Sequence, residues 1–471
     1  MDKRQVPFHQ YLISLICVAV ISGGAVYTAM NEPILVRETE ETNDELEKIH
    51  ALYEALQSNY YTEVDKDQLV EGALRGMTEA LDDPYTTYLR KDEAQELAQS
   101  LSDSFEGIGA TLTIMDNLPE VAQAPIKDSP AEKAGLRLHD KILKVDGEET
   151  TGKTLNEIVL TIRGEKGTDV TLTIERNSEV FDVTITRGKI PIASLHSELD
   201  DAHKIGKIQI SSFNESTAKE LQQAITDLRE AGATSFSIDL RQNPGGYLNQ
   251  VEIMASMFLE DGKTIVQFSN QDEIIGKSEA STELDGGFKV TEPVVVLVDG
   301  GSASASEIFA AALKESGNIP VIGTRTFGKG TVQSVNGFGD QSEIKMTVQK
   351  WLTPDGEWVN DGGLEPSIEV DFPDYAYLAP LPKERIFKEG DEADSIETLN
   401  TFLGVLGYEV EGNQYTEATR LAVQEFQTKE ELTVTGEVDA ETALRIERAI
   451  TEHLRETDQM YDKAVEVLTE E

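Results

Sequence analysis

The chain has 471 residues, room for about three domains at roughly 150 residues each. Its 87 acidic residues against 41 basic ones leave a net charge of −46, which argues against nucleic-acid binding, because phosphate contacts need clustered Lys and Arg. Six scattered histidines and a single cysteine, Cys17, give no ligand spacing for zinc and no disulfide framework, so no metal and no cofactor is expected.

Residues 1–10 carry Lys3 and Arg4, and Tyr11–Met30 ("YLISLICVAVISGGAVYTAM") is uncharged for twenty positions. That length crosses a hydrocarbon core of about 30 Å as a helix. Mostly acidic residues follow it, so positive-inside bias keeps 1–10 cytoplasmic and exports everything after Met30. A cleaved signal peptide is the alternative; the length of the segment and the poor cleavage site "VYTAM" favour an uncleaved single-pass anchor. The expected location is the cell membrane, with the bulk of the chain outside the cytoplasm.

Residues 42–100 read as helices, with apolar positions at helical spacing in "ELEKIHALYEALQSNYY" and a Pro turn at "DDPYTTYL". Residues 105–189 change texture: short β-branched runs ("GATLTI", "KILKVDG", "DVTLTIER", "FDVTITR") alternate with Gly turns around one helix, "TLNEIVLTIRG". From 190 to 385, strands such as "SFSIDLR" and "EPVVVLVDG" alternate with helices such as "STAKELQQAITDLREAG". That alternation predicts a largely parallel sheet covered on both faces. A helical piece at 394–450 and an acidic helical tail at 451–471 close the chain. The expected class is a multidomain α/β protein: an α/β core with an inserted β-rich module, an N-terminal helical segment and a small C-terminal helical domain.

Two stretches carry candidate chemistry. In "GGSASASEIFAAALKES" three serines occupy alternate positions where a strand turns into a helix. Ser304-Ala305-Ser306-Glu307 fits the capping box S-x-x-E, with Ile308, Phe309, Ala312 and Leu313 as one apolar face. The same helix start would favour developing negative charge beside a nucleophile. No G-x-S-x-G elbow is present, and no histidine lies beside a motif. "GTRTFGKGTVQ" offers a base instead: Lys329 stands between two glycines, and burial would lower its pKa until the neutral amine takes a hydroxyl proton. Gln333, four residues on, can hold that amine with its amide oxygen. Gly323-x4-Gly328-Lys329 nearly matches a P-loop, but Gly330 replaces the Mg²⁺-binding hydroxyl and no helical period follows. "DLRQNPGGYL" ends a strand in a glycine pair, either a tight turn or a close approach of backbone N–H groups to a ligand.

"DLRQNPGGYL", "GSASASEIFAAALKE", "GTRTFGKGTVQ" and "DGGLEPSIEV", in that order, resemble the carboxyl-terminal processing (tail-specific) serine protease family. The resemblance implies Ser304 as nucleophile, Lys329 as general base and Gln333 as its orienting partner. It implies an oxyanion hole from the N–H of Ala305 and one from Gly245 or Gly246. One departure is Ser367 in "LEPS", where Asp is expected. The 105–189 module resembles an inserted PDZ domain. Gly107-Ile108-Gly109-Ala110 then form the loop that binds a peptide carboxylate, "DSPAEKAGLRLHDKILKVDGEE" is the signature that follows, and His139 stands where Gly is frequent. Arg163, after the groove helix, is either a solvated arginine or a sensor of bound peptide. Residues 394–450 resemble a peptidoglycan-binding-like domain, with packing or dimerisation as the alternative role.

The expected protein is a membrane-anchored extracytoplasmic serine endopeptidase that engages polypeptides by accessible C-terminal ends and forms an acyl-enzyme. Peptidoglycan and a second copy, paired through residues 42–100, are candidate partners; nucleic acid is not. The alternative is a non-enzymatic PDZ and wall-binding scaffold around an inactive hydrolase core.

Overall fold

The computed structural model describes residues 44–470 apart from Asp116 and Asp272; the expected cytoplasmic segment 1–10 and anchor 11–30 lie outside them. Among the described residues, no helix is long and apolar enough to cross a membrane. The chain forms two compact units, one of residues up to Ser100 with Thr331–Lys350, the other of Leu101–Gly330 with Trp351 onward.

In the first unit, helices Asp44–Asn59 and Lys66–Glu79 leave an apolar groove between them, lined by Leu46, Leu52, Leu56, Val70 and Met77. Asp65 caps the second helix, its Oδ1 accepting the Asp67 and Gln68 N–H groups at 2.9 and 3.2 Å. The Pro84 turn is fixed by Asp83, which accepts from the Tyr85 N–H and the Thr86 hydroxyl. The chain then enters a short strand, Thr87–Leu89, paired antiparallel to Glu343–Leu352, which in turn pairs with Thr331–Gly337. The segment is therefore not wholly helical: β-branched and aromatic residues after the turn find a partner edge far along the chain.

The second unit begins with the β-rich module. Five antiparallel strands follow the order Leu112–Met115, Leu118–Val121, Lys141–Val145, Asp169–Arg176, Glu179–Thr186. Alternation along Asp169–Arg176 buries Val170, Leu172 and Ile174 completely. Helix Leu155–Ile162 opens with a full capping box between Thr154 and Glu157 and closes the core with Ile158 and Ile162. His139 has φ 68°, so the position where Gly is frequent is left-handed; the ring reaches Glu120 at 2.6 Å.

The main sheet orders six strands as β1 (Leu195–Asp200), β2 (Ile205–Ile210), β3 (Ser235–Asp239), β4 (Val294–Val298), β5 (Val321–Gly323) and β6 (Ile368–Glu369). The first pair is antiparallel and the rest are parallel. Every residue of β4 is buried, the mark of a strand covered on both faces. Helices α1 (Thr217–Glu230), α2 (Leu248–Phe258) and α3 (Ala305–Ala311) belong to this layer. The last helix, α4 (Gln459–Thr469), buries Met460 and Ala464 against Val295, Leu297 and Ile322. Alternation aims Val294, Val296 and Val298 the other way, so the acidic tail is the cover of one sheet face. Ser367 answers for the missing Asp by tying the edge strand on: its N–H donates to Val321 O at 2.7 Å and its hydroxyl accepts the Val321 N–H at 3.3 Å.

Helices Asp394–Val405, Glu417–Lys429 and Ala440–Glu456 enclose a separate core of Leu399, Phe402, Tyr415, Phe426 and Ile446. Asn400, fully buried, donates to the carbonyls of Glu411, Gly412 and Gln414.

Candidate active site

The three alternating serines have different fates. Ser302 and Ser306 are fully buried. The Ser302 hydroxyl donates to Leu240 O at 2.8 Å and the Ser306 hydroxyl to Asn243 O at 2.9 Å; both fasten the serine loop to the loop after β3. Ser304 alone stays partly exposed. Its backbone sits at φ 55°, ψ −112°, outside every region comfortable for a residue with a Cβ and costing about 1–3 kcal/mol. The elbow missing from the sequence as a motif is thus present as a conformation: a strained strand-to-helix turn that projects one side chain. The expected one-sided helix is corrected too. Residues Ala305 to Leu313 are buried on every side, and the helix passes into a π turn over Ala312–Ser316.

Glu307 organises the site. Its side chain is fully buried, and four donors converge on it. Oε2 accepts the N–H of Ser304 at 2.8 Å and of Lys329 at 2.9 Å. Oε1 accepts the N–H of Gly328 at 2.7 Å and the Thr326 hydroxyl at 2.6 Å. One carboxylate oxygen therefore joins the backbones of Ser304 and Lys329. Read from sequence, Glu307 was half of a capping box; that half is real, and it is one bond of four. The only sequence signal was the spacing from Ser304, and Thr326 left none.

Lys329 is half-buried, and its carbonyl accepts the Trp351 indole N–H at 2.8 Å. The flanking glycines have a packing reason. A methyl at Gly328 would come within 2.8 Å of the Gly363 nitrogen, and one at Gly330 within 2.6 Å of the Trp358 indole nitrogen. Gln333 belongs to the other unit, on strand Thr331–Gly337, with its amide nitrogen donating to the hydroxyls of Thr331 and Thr347 at 2.9 and 3.3 Å. That strand also removes the P-loop reading, which needs a helix there.

The glycine pair lies against the serine turn. A methyl at Gly245, φ 102°, would come within 2.8 Å of Ala303 O, 3.0 Å of the Ala305 nitrogen and 3.0 Å of Ser304 Cβ. Gly246, φ 151°, would drive one into the Phe213 carbonyl. Buried Asn243 sets the loop: Nδ2 donates to Ile210 O at 2.8 Å, Oδ1 accepts the Gly245 N–H at 2.9 Å, and the carbonyl accepts the Ala303 N–H at 3.0 Å. Since the Gly245 N–H is taken by Asn243, Gly246 is the better of the two expected oxyanion donors.

In the β-rich module, Ile108, Gly109 and Ala110 line a cavity of about 70 Å³ with Leu112, Val159 and Ile162. Gly107 pairs with Gly188 in the two-stranded ladder just before that loop. Arg163 is exposed, caps the groove helix through its N–H to Val159 O, and holds its guanidinium 5.0 Å from the centre of the Phe105 ring.

Comparison with known proteins bears on the whole length. The peptidase family S41 profile matches residues 204–370. The N-terminal domain of the activating protease CtpB matches 25–93, a PDZ domain 121–176 and a peptidoglycan binding domain 392–446. The carboxy-terminal processing protease CtpA of Bacillus subtilis (strain 168) is 41% identical over 474 residues, covering 100% of both chains. A "Probable CtpA-like serine protease" of Staphylococcus aureus (strain COL) is 37% identical over 466 residues, 98% of this chain and 92% of that one. Among solved structures, a photosystem II D1 C-terminal processing protease is 29% identical over 69% of this chain and 88% of its own, with a TM-score of 0.41. The strained serine, the paired loops and this full-length similarity lead to one conclusion: the chain belongs to peptidase family S41, as a carboxy-terminal processing serine protease with a PDZ domain and a peptidoglycan-binding domain.

Proposed function

We propose that the protein is a membrane-anchored serine endopeptidase that works outside the cytoplasm on polypeptides recognised by their C-terminal ends, using a Ser304/Lys329 dyad. The observation that carries this is the single buried carboxylate oxygen of Glu307 accepting the N–H groups of both Ser304 and Lys329. Two residues 25 positions apart are thereby held by one anchor. Lys329, as neutral amine, takes the Ser304 proton; Ser304 Oγ attacks the scissile carbonyl; the acyl-enzyme forms as the amine leaves and is then hydrolysed by water. The N–H groups of Ala305 and Gly246 receive the developing oxyanion, each worth about 2.7–4 kcal/mol in the transition state. Gln333 is assigned to orient the lysine amine on the strength of the motif "GTRTFGKGTVQ".

Tyr11–Met30 supplies the anchor, and its charge asymmetry supplies the orientation. The groove behind Gly107–Ala110 takes the substrate's terminal residues, with Arg163 as the sensor at its edge. The three-helix C-terminal domain is the candidate contact to peptidoglycan, and the apolar groove of the N-terminal helices the candidate contact to a second copy. Incubation with an unfolded protein beside a Ser304→Ala control tests the core of the proposal. Cleavage should vanish in the variant, and uncleaved substrate should stay bound for identification by mass spectrometry. Equal cleavage by both proteins would dismiss the dyad.

A further inference from the structure

Helix α4 does more than cover apolar strands. Asp458, its N-cap, accepts the Tyr461 N–H at 3.1 Å and meets Arg241 in a bidentate pair, Nη1 to Oδ1 at 2.8 Å and Nη2 to Oδ2 at 2.6 Å. The other edge of the same guanidinium holds Asp239, Nε to Oδ1 at 2.9 Å and Nη2 to Oδ2 at 2.7 Å. Arg241 is thus clamped between the end of β3 and residue 458, with little of its side chain exposed. Burial works against its charge, and the two carboxylates more than offset that, raising its pKa.

Arg241 is also the second residue of the loop that reaches the serine turn, after Leu240. Gln242, next in the chain, takes φ 59° and is pinned by Asp299, which accepts both its N–H at 2.9 Å and its amide nitrogen at 2.7 Å. Asn243 and the two glycines follow. Planar bidentate contacts on both edges fix the rotation of the guanidinium, and through it the point where the chain leaves β3.

We propose that Asp458 is a positioning residue for the hydrolytic reaction: from the last helix, through Arg241, it holds Gln242–Gly246 in register with Ser304. This rests on the reading that the glycine pair supplies an oxyanion donor. The loop needs such a hold because it contains a left-handed non-glycine residue and glycines packed without clearance against the serine turn. With Asp458 gone, one guanidinium edge is left without its partner and the loop can relax away from the nucleophile.

The test uses the full-length protein, with active sites counted by a fluorophosphonate that labels the reactive serine. Asp458→Ala should lower kcat per labelled site about 10- to 100-fold while KM for a peptide substrate moves less than about twofold, as expected for a misplaced transition-state donor. Asp458→Glu should recover most of the loss. Tyr461→Phe removes the helix's other polar anchor, the 2.8 Å bond to Asp200, without touching Arg241; it should lower the thermal midpoint and leave kcat within about twofold. If Asp458→Ala does not fold, Asp458→Asn takes its place in the comparison. Wild-type kcat in the Asp458 variant, or an equal loss in Tyr461→Phe, overturns the proposal. Persistent cleavage by Ser304→Ala would instead overturn the nucleophile assignment, a separate failure.

Discussion

The serine turn and the PDZ groove solve opposite problems within one unit. At the serine turn a strained backbone is held by a fully buried carboxylate with four donors, by two buried serine hydroxyls and by glycines packed to contact. At the groove the lining is apolar, and the one charged side chain at its edge is exposed and stacked on Phe105. A reacting centre must already have its geometry when the substrate arrives. The strained non-glycine backbone and the buried carboxylate belong to the serine turn; the groove is an apolar lining with an exposed arginine at its edge.

The sharpest way to break this contrast is Glu307→Gln, which keeps the volume but sets an NH₂ group against two of the four donors. It should cost about 3–5 kcal/mol of stability in a denaturant titration and lower kcat at least about 100-fold. Gly245→Ala should fold and yet lose about 100-fold in kcat, because its methyl lies 3.0 Å from both Ser304 Cβ and the Ala305 nitrogen; unchanged kcat would mean that the two loops need not touch. Both Ser304→Ala and Ser304→Gly should be inactive, but the glycine variant should be more stable by about 1–2 kcal/mol, since only glycine relaxes at φ 55°, ψ −112°.

A milder effect is expected from acid. Burial pushes the Asp200 carboxyl up, but the His203 and Tyr461 hydrogen bonds outweigh it and bring the pKa down to about 2. Asp458 is likewise raised by burial and lowered further by Arg241. Groups depressed in the folded state stabilise it above the unfolded value of about 3.9 and lose that contribution as pH falls toward the folded one. Thermal midpoints should therefore hold from neutral pH to about pH 4 and drop between about pH 4 and 2, with Asp200 contributing at most about 2 kcal/mol. Tyr461→Phe should shrink that drop. Smallest is Arg163→Ala: no change in thermal midpoint and a loss of a few-fold in peptide-stimulated cleavage. A large loss of stability there would show the groove to be as rigidly built as the serine turn.

Much of this was legible in the amino-acid sequence. Strand–helix alternation marked the parallel sheet, and the serine, lysine and glycine motifs marked the three loops that come together. What escaped was whatever depends on distant residues arriving together. Glu307 looks like a cap because its local partner is three residues away, while Thr326 and Lys329 reach it from 19 and 22 residues downstream. The need for glycine on both sides of Lys329 is set by Gly363 and Trp358, more than 25 residues away in the chain. Strain at Ser304 is invisible because serine is common at helix starts and nothing in its neighbours announces a positive φ. The tail reads as an acidic appendage because Met460 and Ala464 make too short an apolar stripe to identify the strand face that they cover.

That cover has a consequence for the order of events in the cell. Val295 and Leu297 are roofed by a helix more than 150 residues later in the chain, beyond the entire three-helix domain. A polypeptide still emerging, or cut short before Gln459, leaves those valine and leucine side chains bare to water. That face of the sheet is therefore completed late in folding, once Gln459–Thr469 is available to pack on it.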